Sequence, residues 1–294
     1  MIDSSRSSGA AAPRHNEGVT SRDGSAVALA RSAHLGPTLV VTAITLALGA
    51  ASGADAWRVL LLTVGMLLGQ LSVGWSNDWL DAGRDRVAHR TDKPAADGRI
   101  APARLRTAAL VALVPGLLLP LPASLPAALL HLVFVASAWT YNLGLKRTPA
   151  SVVPYMVSFG SLPALATLLR VPPAWPPLWA TAAGVALGVA AHFANVVPDV
   201  ATDRAEGSRG LPQLLGARAA GAIAAVVVLG AAVLVGLGAH PGPAGIVLLG
   251  VTGGTAIGAL VAALRAQPGR WAFRAVMAAA LLLVAAMILG GTGL

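Results

Sequence analysis

Residues 217–239 read ARAAGAIAAVVVLGAAVLVGLGA, a stretch of 23 residues with one arginine and no acidic side chain. A helix of this length crosses the hydrocarbon core of a bilayer, which is about 30 Å thick. Backbone groups in lipid must be hydrogen-bonded within the segment, and the stretch lacks the alternating pattern of a barrel strand. It therefore predicts a membrane-spanning α-helix.

Stretches of this kind recur along most of the chain. Hydrophobic residues make up 56% of the 294 residues and charged residues only 11%, whereas soluble domains carry about a quarter charged residues. This composition excludes a soluble globular protein. We predict an all-α polytopic membrane protein, a bundle of nine transmembrane helices. The predicted spans are residues 34–53, 56–76, 103–122, 125–143, 150–170, 176–197, 217–239, 243–265 and 271–292.

The basic residues predict how the bundle is oriented. With the N-terminus in the cytosol, all of the 21 Lys and Arg residues except Arg58 and Arg170 fall on the cytosolic side, as the positive-inside rule requires. Topology and contact with anionic membrane lipids then explain the net charge of +9, so we expect no nucleic acid partner. We expect residues 1–30 to form a disordered cytosolic tail and residues 31–294 a single domain. The expected location is a bacterial cell membrane.

Eight of the twelve acidic residues lie in two regions, five after the second predicted span and three after the sixth. Residues 77–85 read NDWLDAGRD after the second span, and residues 195–203 read NVVPDVATD after the sixth, so both contain Asn-x-x-x-Asp-x-x-x-Asp. Side chains four residues apart lie on one face of a helix. The spacing therefore predicts two polar ladders, the first made of Asn77, Asp81 and Asp85 and the second of Asn195, Asp199 and Asp203. Asp78 borders the first ladder.

The two ladders predict a magnesium site. Like charges at this spacing repel one another, so a cation should bridge them. The chain has no cysteine, so the hard ions Mg²⁺ and Ca²⁺ fit best, and Mg²⁺ typically binds through a few carboxylates while taking water and substrate phosphate at its other positions. The predicted metal ligands are Asn77, Asp78, Asp81, Asp85, Asn195, Asp199 and Asp203, of which Asp81, Asp85, Asp199 and Asp203 are also the predicted catalytic residues. The alternative is that each ladder is a solvated helix end whose aspartates pair with nearby arginines.

These motifs resemble the UbiA-type intramembrane prenyltransferase superfamily. The resemblance rests on the two aspartate motifs, on YNLGLKR at residues 141–147 and on GLP at residues 210–212. It implies a nine-helix bundle with a central cavity, in which Mg²⁺-bound isoprenyl diphosphate donates its prenyl group to an aromatic or other lipophilic acceptor. Relatives often carry a basic residue where this chain has Pro198. The diphosphate is then expected to depend more on Lys93, Lys146 and Arg209.

An allylic cation requires an apolar pocket with aromatic faces nearby. Tyr155 and Phe159 are the leading candidates because they lie four residues apart on one face of the fifth span, with ordinary packing as the alternative. Further aromatic candidates are Trp75, Trp139, Tyr141 and Phe193. The predicted substrate-binding residues are Asn77, Asp78, Lys93, Tyr141, Lys146, Tyr155, Phe159, Asn195 and Arg209.

Other polar or small residues within the spans suit packing better than chemistry. Gly184 and Gly188, like Gly65 and Gly69, have the spacing that lets two helices approach closely. The histidines at positions 131 and 192 are possible proton acceptors, although a histidine inside a span more often bonds a neighbouring helix.

Three other functions are compatible with parts of the pattern. A site of the same type can cyclise a prenyl diphosphate without an acceptor, or transfer phosphoribosyl to a lipid phosphate. A cation-coupled transporter is the alternative outside this class. Transport predicts acidic residues near the middle of the membrane, whereas both clusters lie at the ends of spans.

Overall fold

The computed structural model describes residues 21–205, 207–265, 269 and 271–290. Within these ranges the chain is helical and contains no β-strand, which confirms the all-α prediction. The helices are α1 (Ser21–Arg31), α2 (Leu35–Ala51), α3 (Ala56–Val87), α4 (Pro102–Leu118), α5 (Leu125–Leu143), α6 (Val153–Thr167), α7 (Leu178–Val196), α8 (Val200–Ala205), α9 (Leu211–Leu215), α10 (Ala217–Ala239), α11 (Pro243–Arg265) and α12 (Trp271–Leu289).

Each of the nine predicted spans coincides with one long helix, but the number of spans is not confirmed as nine. In the described part of the chain, seven helical segments are long and apolar enough to cross a membrane. The number rises to eight if α1 and α2, which meet at a bend of 60°, form one broken span. Helix α4 has only 17 residues. The prediction of a multi-pass membrane protein is confirmed.

Two features of the helix ends shape one end of the bundle. Helix α3 runs for 32 residues, well past the predicted end of its span, and its extension carries the first ladder. Helix α7 instead stops at Val196, and a 3₁₀ turn over Val197–Asp199 leads into the short helix α8. Pro198 explains the break, since proline has no N–H to donate and its ring crowds the preceding turn. The second ladder therefore lies on a continuous helical segment, Leu178–Ala205, whose hydrogen bonding changes from α to 3₁₀ over Val197–Asp199.

Glycines allow α6 and α7 to pack backbone to backbone. A Cβ atom added at Gly188 would lie 2.3 Å from the carbonyl oxygen of Tyr155, and one added at Gly184 would lie 2.5 Å from that of Phe159. Gly65 likewise contacts α4, where an added Cβ would lie 2.9 Å from the carbonyl oxygen of Gly116. The packing interpretation of these glycines is confirmed. The close contact holds α6 against α7, which carries the first residue of the second ladder.

The structure has a helix, α1, from Ser21 within the segment predicted as a disordered tail, while residues 1–20 lie outside the described ranges. Residues of α1 pack on the loop between α3 and α4, where Ala28 is 1% exposed. The indole Nε1 of Trp75 donates a hydrogen bond to the carbonyl oxygen of Leu29 at 2.9 Å. Ala26 and Ala30 of this segment are exposed, so the residues that pack are Ala28 and Leu29. The cluster they join includes Ala82, Ala95, Ile100 and Leu105.

Candidate active site

A polar cavity of about 400 Å³ lies at the end of the bundle where α3, α5 and α7 end. Both ladders contribute to its wall, although they are 118 positions apart in the chain. The structure therefore brings all six ladder residues to one cavity. They are Asn77, Asp81 and Asp85 from α3, Asn195 from α7, Asp199 from the 3₁₀ turn and Asp203 from α8.

Basic and amide side chains hold most of the ladder carboxylates. Lys146 donates to Oδ2 of Asp81, and Arg147 lies 3.7 Å from the other oxygen of the same carboxylate. Gln213 donates from Nε2 to Oδ2 of Asp203 at 2.7 Å. Burial lowers the pKa of Lys146, and the negative charge of Asp81 opposes that shift. The carboxylate of Asp81 is thus paired with two cations, Lys146 and Arg147. Both cations line the cavity, where they are placed to bind an anionic ligand.

Arg90 connects the loop after α3 to the second ladder. Its Nη1 lies 3.4 Å from Oδ1 of Asp199, and its Nε lies 2.9 Å from Oδ1 of Asp92. The hydrogen bonds that Arg90 donates to Asp92 are the largest cause of a raised Arg90 pKa, and the charge of Asp199 adds to it. Arg90 is therefore a permanent cation in the cavity wall, next to the second ladder.

Asp78 occupies a different place from its ladder neighbours. Its side chain is 1% exposed and lies outside the wall of the polar cavity. Oδ1 of Asp78 lies 2.9 Å from Nε2 of His34 and accepts a hydrogen bond from Lys93. Lys93 also donates to Oδ1 of Asn77 at 3.4 Å. Asp78 therefore supports two residues of the cavity wall, and the structure does not bring it to the predicted metal position.

The cations of the wall differ in part from those predicted. Lys93 and Lys146 line the cavity as expected. Arg209 does not, because its side chain is exposed and its backbone N–H donates to the carbonyl oxygen of Arg147. Sequence reasoning missed Arg274, which α12 brings into the wall from a distant part of the chain. The arginines that line the cavity are Arg84, Arg90, Arg147 and Arg274.

An apolar cavity of about 210 Å³ adjoins the polar one. Tyr155 and Phe159 line it, with stacked rings whose centroids are 6.3 Å apart. The hydroxyl of Tyr155 accepts a hydrogen bond from Nδ2 of Asn195 at 3.2 Å, which joins the aromatic wall to the second ladder. Five residues line both cavities and form a neck between them: His34, Asn77, Tyr141, Asn195 and Phe273.

The other candidate aromatic and histidine side chains line neither cavity. Trp139 donates from Nε1 to Oγ of Ser72 at 3.2 Å, and Phe193 is 3% exposed in the core. His192 is buried, with Nε2 lying 3.0 Å from Oγ of Ser151. Packing roles fit these residues, as they fit Trp75 and the fully buried His131.

The wall of the polar cavity fits magnesium in its chemistry. Among the described residues, no group of three or more His, Asp or Glu side chains is placed to hold a metal ion alone. Mg²⁺ commonly binds through one or two carboxylates and takes substrate phosphate and water for the rest. Oδ1 of Asp81 is buried and has no hydrogen-bond partner, so one carboxylate oxygen of the first ladder is available to such an ion.

Comparison with known proteins gives one family. The family model for the UbiA prenyltransferase family matches residues 38–283. No curated protein sequence matches the chain.

Solved structures show the same fold at low sequence identity. The apo structure of a UbiA homologue from Aeropyrum pernix K1 is 19% identical, with a TM-score of 0.71 over 85% of this chain and 96% of that one. A UbiA homologue from Archaeoglobus fulgidus bound to DMAPP and Mg²⁺ is 15% identical, with a TM-score of 0.63 over 88% of this chain and 98% of that one.

Proposed function

The chain belongs to the UbiA prenyltransferase family, and from that premise we propose that it transfers a prenyl group from an isoprenyl diphosphate to a lipophilic or aromatic acceptor within the membrane. The observation that carries the proposal is the pair of adjoining cavities. One is polar and walled by two carboxylate ladders and several cations, and the other is apolar and aromatic. An isoprenyl diphosphate has the same division into a charged headgroup and an apolar tail.

The polar cavity suits the diphosphate headgroup. Asn77, Asp81 and Asp85 would hold magnesium from one side, and Asn195, Asp199 and Asp203 from the other. When bound, Mg²⁺ would stabilise the negative charge that develops on the leaving diphosphate. Lys93, Lys146 and Arg90 add fixed positive charge close to the same oxygens, so they favour departure of the diphosphate. Use of Mg²⁺ by this chain is supported by the Archaeoglobus homologue, whose structure is bound to DMAPP and Mg²⁺.

The neck and the apolar cavity suit the reacting carbon and the tail. Tyr141 is part of the neck, and its ring centroid lies 5.3 Å from that of Tyr155. Aromatic faces stabilise a nearby cation, and the apolar wall excludes water that would otherwise capture it. We propose that Tyr141, Tyr155 and Phe159 surround the allylic carbon while an acceptor reaches it from the apolar side. The polar cavity would face the cytosol, where most basic residues are expected.

The test is turnover by purified protein with Mg²⁺ and isoprenyl diphosphates of increasing length, in detergent or in vesicles. We expect diphosphate release that depends on both Mg²⁺ and an added lipophilic acceptor. Equal release without any acceptor would indicate cyclisation instead. Absence of release with every donor and acceptor would contradict the proposal, provided that the protein is monodisperse and folded.

A further inference from the structure

The wall of the apolar cavity contains an amide without a partner. Gln70 lies on α3 and its side chain lines this cavity. It precedes Asn77 by seven residues, so the two side chains share a helix face and lie about 10 Å apart along the axis. Within the ranges that the structure describes, Gln70 has no hydrogen bond or ion pair. The cavity therefore presents a free carboxamide well away from the diphosphate end.

Other polar groups in the same wall are satisfied by the protein. Thr38 donates to the carbonyl oxygen of Ala33 at 2.9 Å, and the hydroxyls of Ser158 and Ser137 lie 2.8 Å apart. A prenyl tail offers no hydrogen bond, so a tail alone against Gln70 would leave the amide unsatisfied, which is costly in an apolar surrounding. The position therefore suits a ligand with an oxygen atom.

The charge of the wall restricts which oxygen this is. Among the described residues that line the apolar cavity there is no Asp, Glu, Lys or Arg. The histidine of the neck, His34, is already engaged by Asp78. A carboxylate placed beside Gln70 would be buried without a compensating cation, which strongly disfavours its binding. The carboxamide offers two N–H donors and one carbonyl acceptor, so it matches a neutral hydroxyl or carbonyl group.

We propose that Gln70 determines acceptor specificity by hydrogen-bonding an uncharged hydroxyl or carbonyl oxygen of the acceptor, at the end away from its reacting carbon. The acceptor class is then neutral lipophilic molecules such as phenols, quinols and their ethers or esters, and excludes carboxylates. This inference rests on the proposed prenyl transfer. The separation of Gln70 from Asn77 leaves the space between them for the allylic carbon and the reacting part of the acceptor.

The test measures binding, so it does not require turnover. Wild-type protein in detergent is titrated calorimetrically with methyl 4-hydroxybenzoate, with 4-hydroxybenzoate and with 4-methylphenol, which differ in the group opposite the hydroxyl. We expect the ester to bind at least about tenfold more tightly than the acid. In Gln70→Leu, and in Gln70→Met should the first variant misfold, ester affinity should fall about fivefold to tenfold, while 4-methylphenol is unaffected. Gln70→Arg should favour the acid over the ester.

Two controls separate this inference from the proposed function. Val73→Ala alters an apolar residue of the same wall, so it should change the affinity of all three phenols in parallel. Binding of geranyl diphosphate with Mg²⁺ should persist in every variant, and its absence in the wild type would contradict the proposed function itself. With donor binding intact, equal or tighter binding of the acid by the wild type, unchanged ester affinity in Gln70→Leu, or no phenol binding would overturn the role of Gln70.

Discussion

Replacing Asp81 by asparagine should remove activity without unfolding the protein. The side chain of Asp81 is 14% exposed, pairs with Lys146 and retains an oxygen with no hydrogen-bond partner. Asparagine keeps one oxygen for Lys146 but replaces the other carboxylate oxygen, which lies 3.7 Å from Arg147, by an NH₂ group and removes the negative charge. A proposed metal ligand is thereby lost, while the hydrogen bond to Lys146 can persist.

The magnitude follows from those contacts. Loss of one group that stabilises the charge of the transition state costs about 10² to 10³ in kcat, and we expect a loss in this range for Asp81→Asn. The unfolding free energy should fall by about 1–3 kcal/mol, because Lys146 keeps a hydrogen bond but loses the anionic partner of a largely buried ion pair. The concentration of Mg²⁺ needed for half-maximal activity should increase.

The assay is diphosphate release from geranyl diphosphate at varied Mg²⁺, with thermal unfolding recorded on the same preparations. Asp97→Asn is the matched control, because Asp97 lies in the loop after α3, pairs with Arg99 at 2.5 Å and lines neither cavity. The control should stay within about twofold of wild-type activity. The reasoning is refuted if folded Asp81→Asn retains more than about a tenth of wild-type activity, or if Asp97→Asn loses as much.

Three further outcomes are expected. Gly188→Ala should lower the unfolding free energy by about 1–3 kcal/mol through overpacking against Tyr155, whereas Gly230→Ala, where an added Cβ meets nothing within 4 Å, should not; equal melting temperatures would contradict this. Lys146→Met should weaken donor binding more than acceptor binding in calorimetric titrations, since it removes a cation of the polar cavity; a selective loss of acceptor affinity would oppose that placement. Chelation by EDTA should stop diphosphate release and added Mg²⁺ restore it, with the folded state intact; full activity in EDTA would exclude a required metal.

The parts of the site that were predictable depend on short spacings. Residues four apart on α3 had to share a face, so Asn77, Asp81 and Asp85 reach one cavity wall as predicted. The same helix geometry places Asp78 away from the face that carries the first ladder. It lies one position from Asn77 and hence about 100° around the helix, where it is buried against Lys93.

The rest of the site depends on contacts between distant segments. His34, the residue just before α2, lines the cavity walls together with Phe273 and Arg274 of α12, and no spacing connects these residues to the ladders. Arg209 follows the second ladder closely in sequence, but the chain turns after α8. The backbone N–H of Arg209 therefore donates to the carbonyl oxygen of Arg147, and its side chain is exposed. Patterns within one helix were therefore more informative than proximity along the chain.

The central claim is that two ladders from opposite halves of the chain jointly hold the metal and the donor headgroup. The direct measurement is a structure of the protein with Mn²⁺ in place of Mg²⁺ and an unreactive thio analogue of geranyl diphosphate, with the metal located by its anomalous signal. We predict metal density between Asp81 on one side and Asp199 on the other, with the headgroup in the polar cavity and the tail beyond the neck. Metal in contact with only one ladder, or a headgroup bound outside this cavity, would contradict the claim.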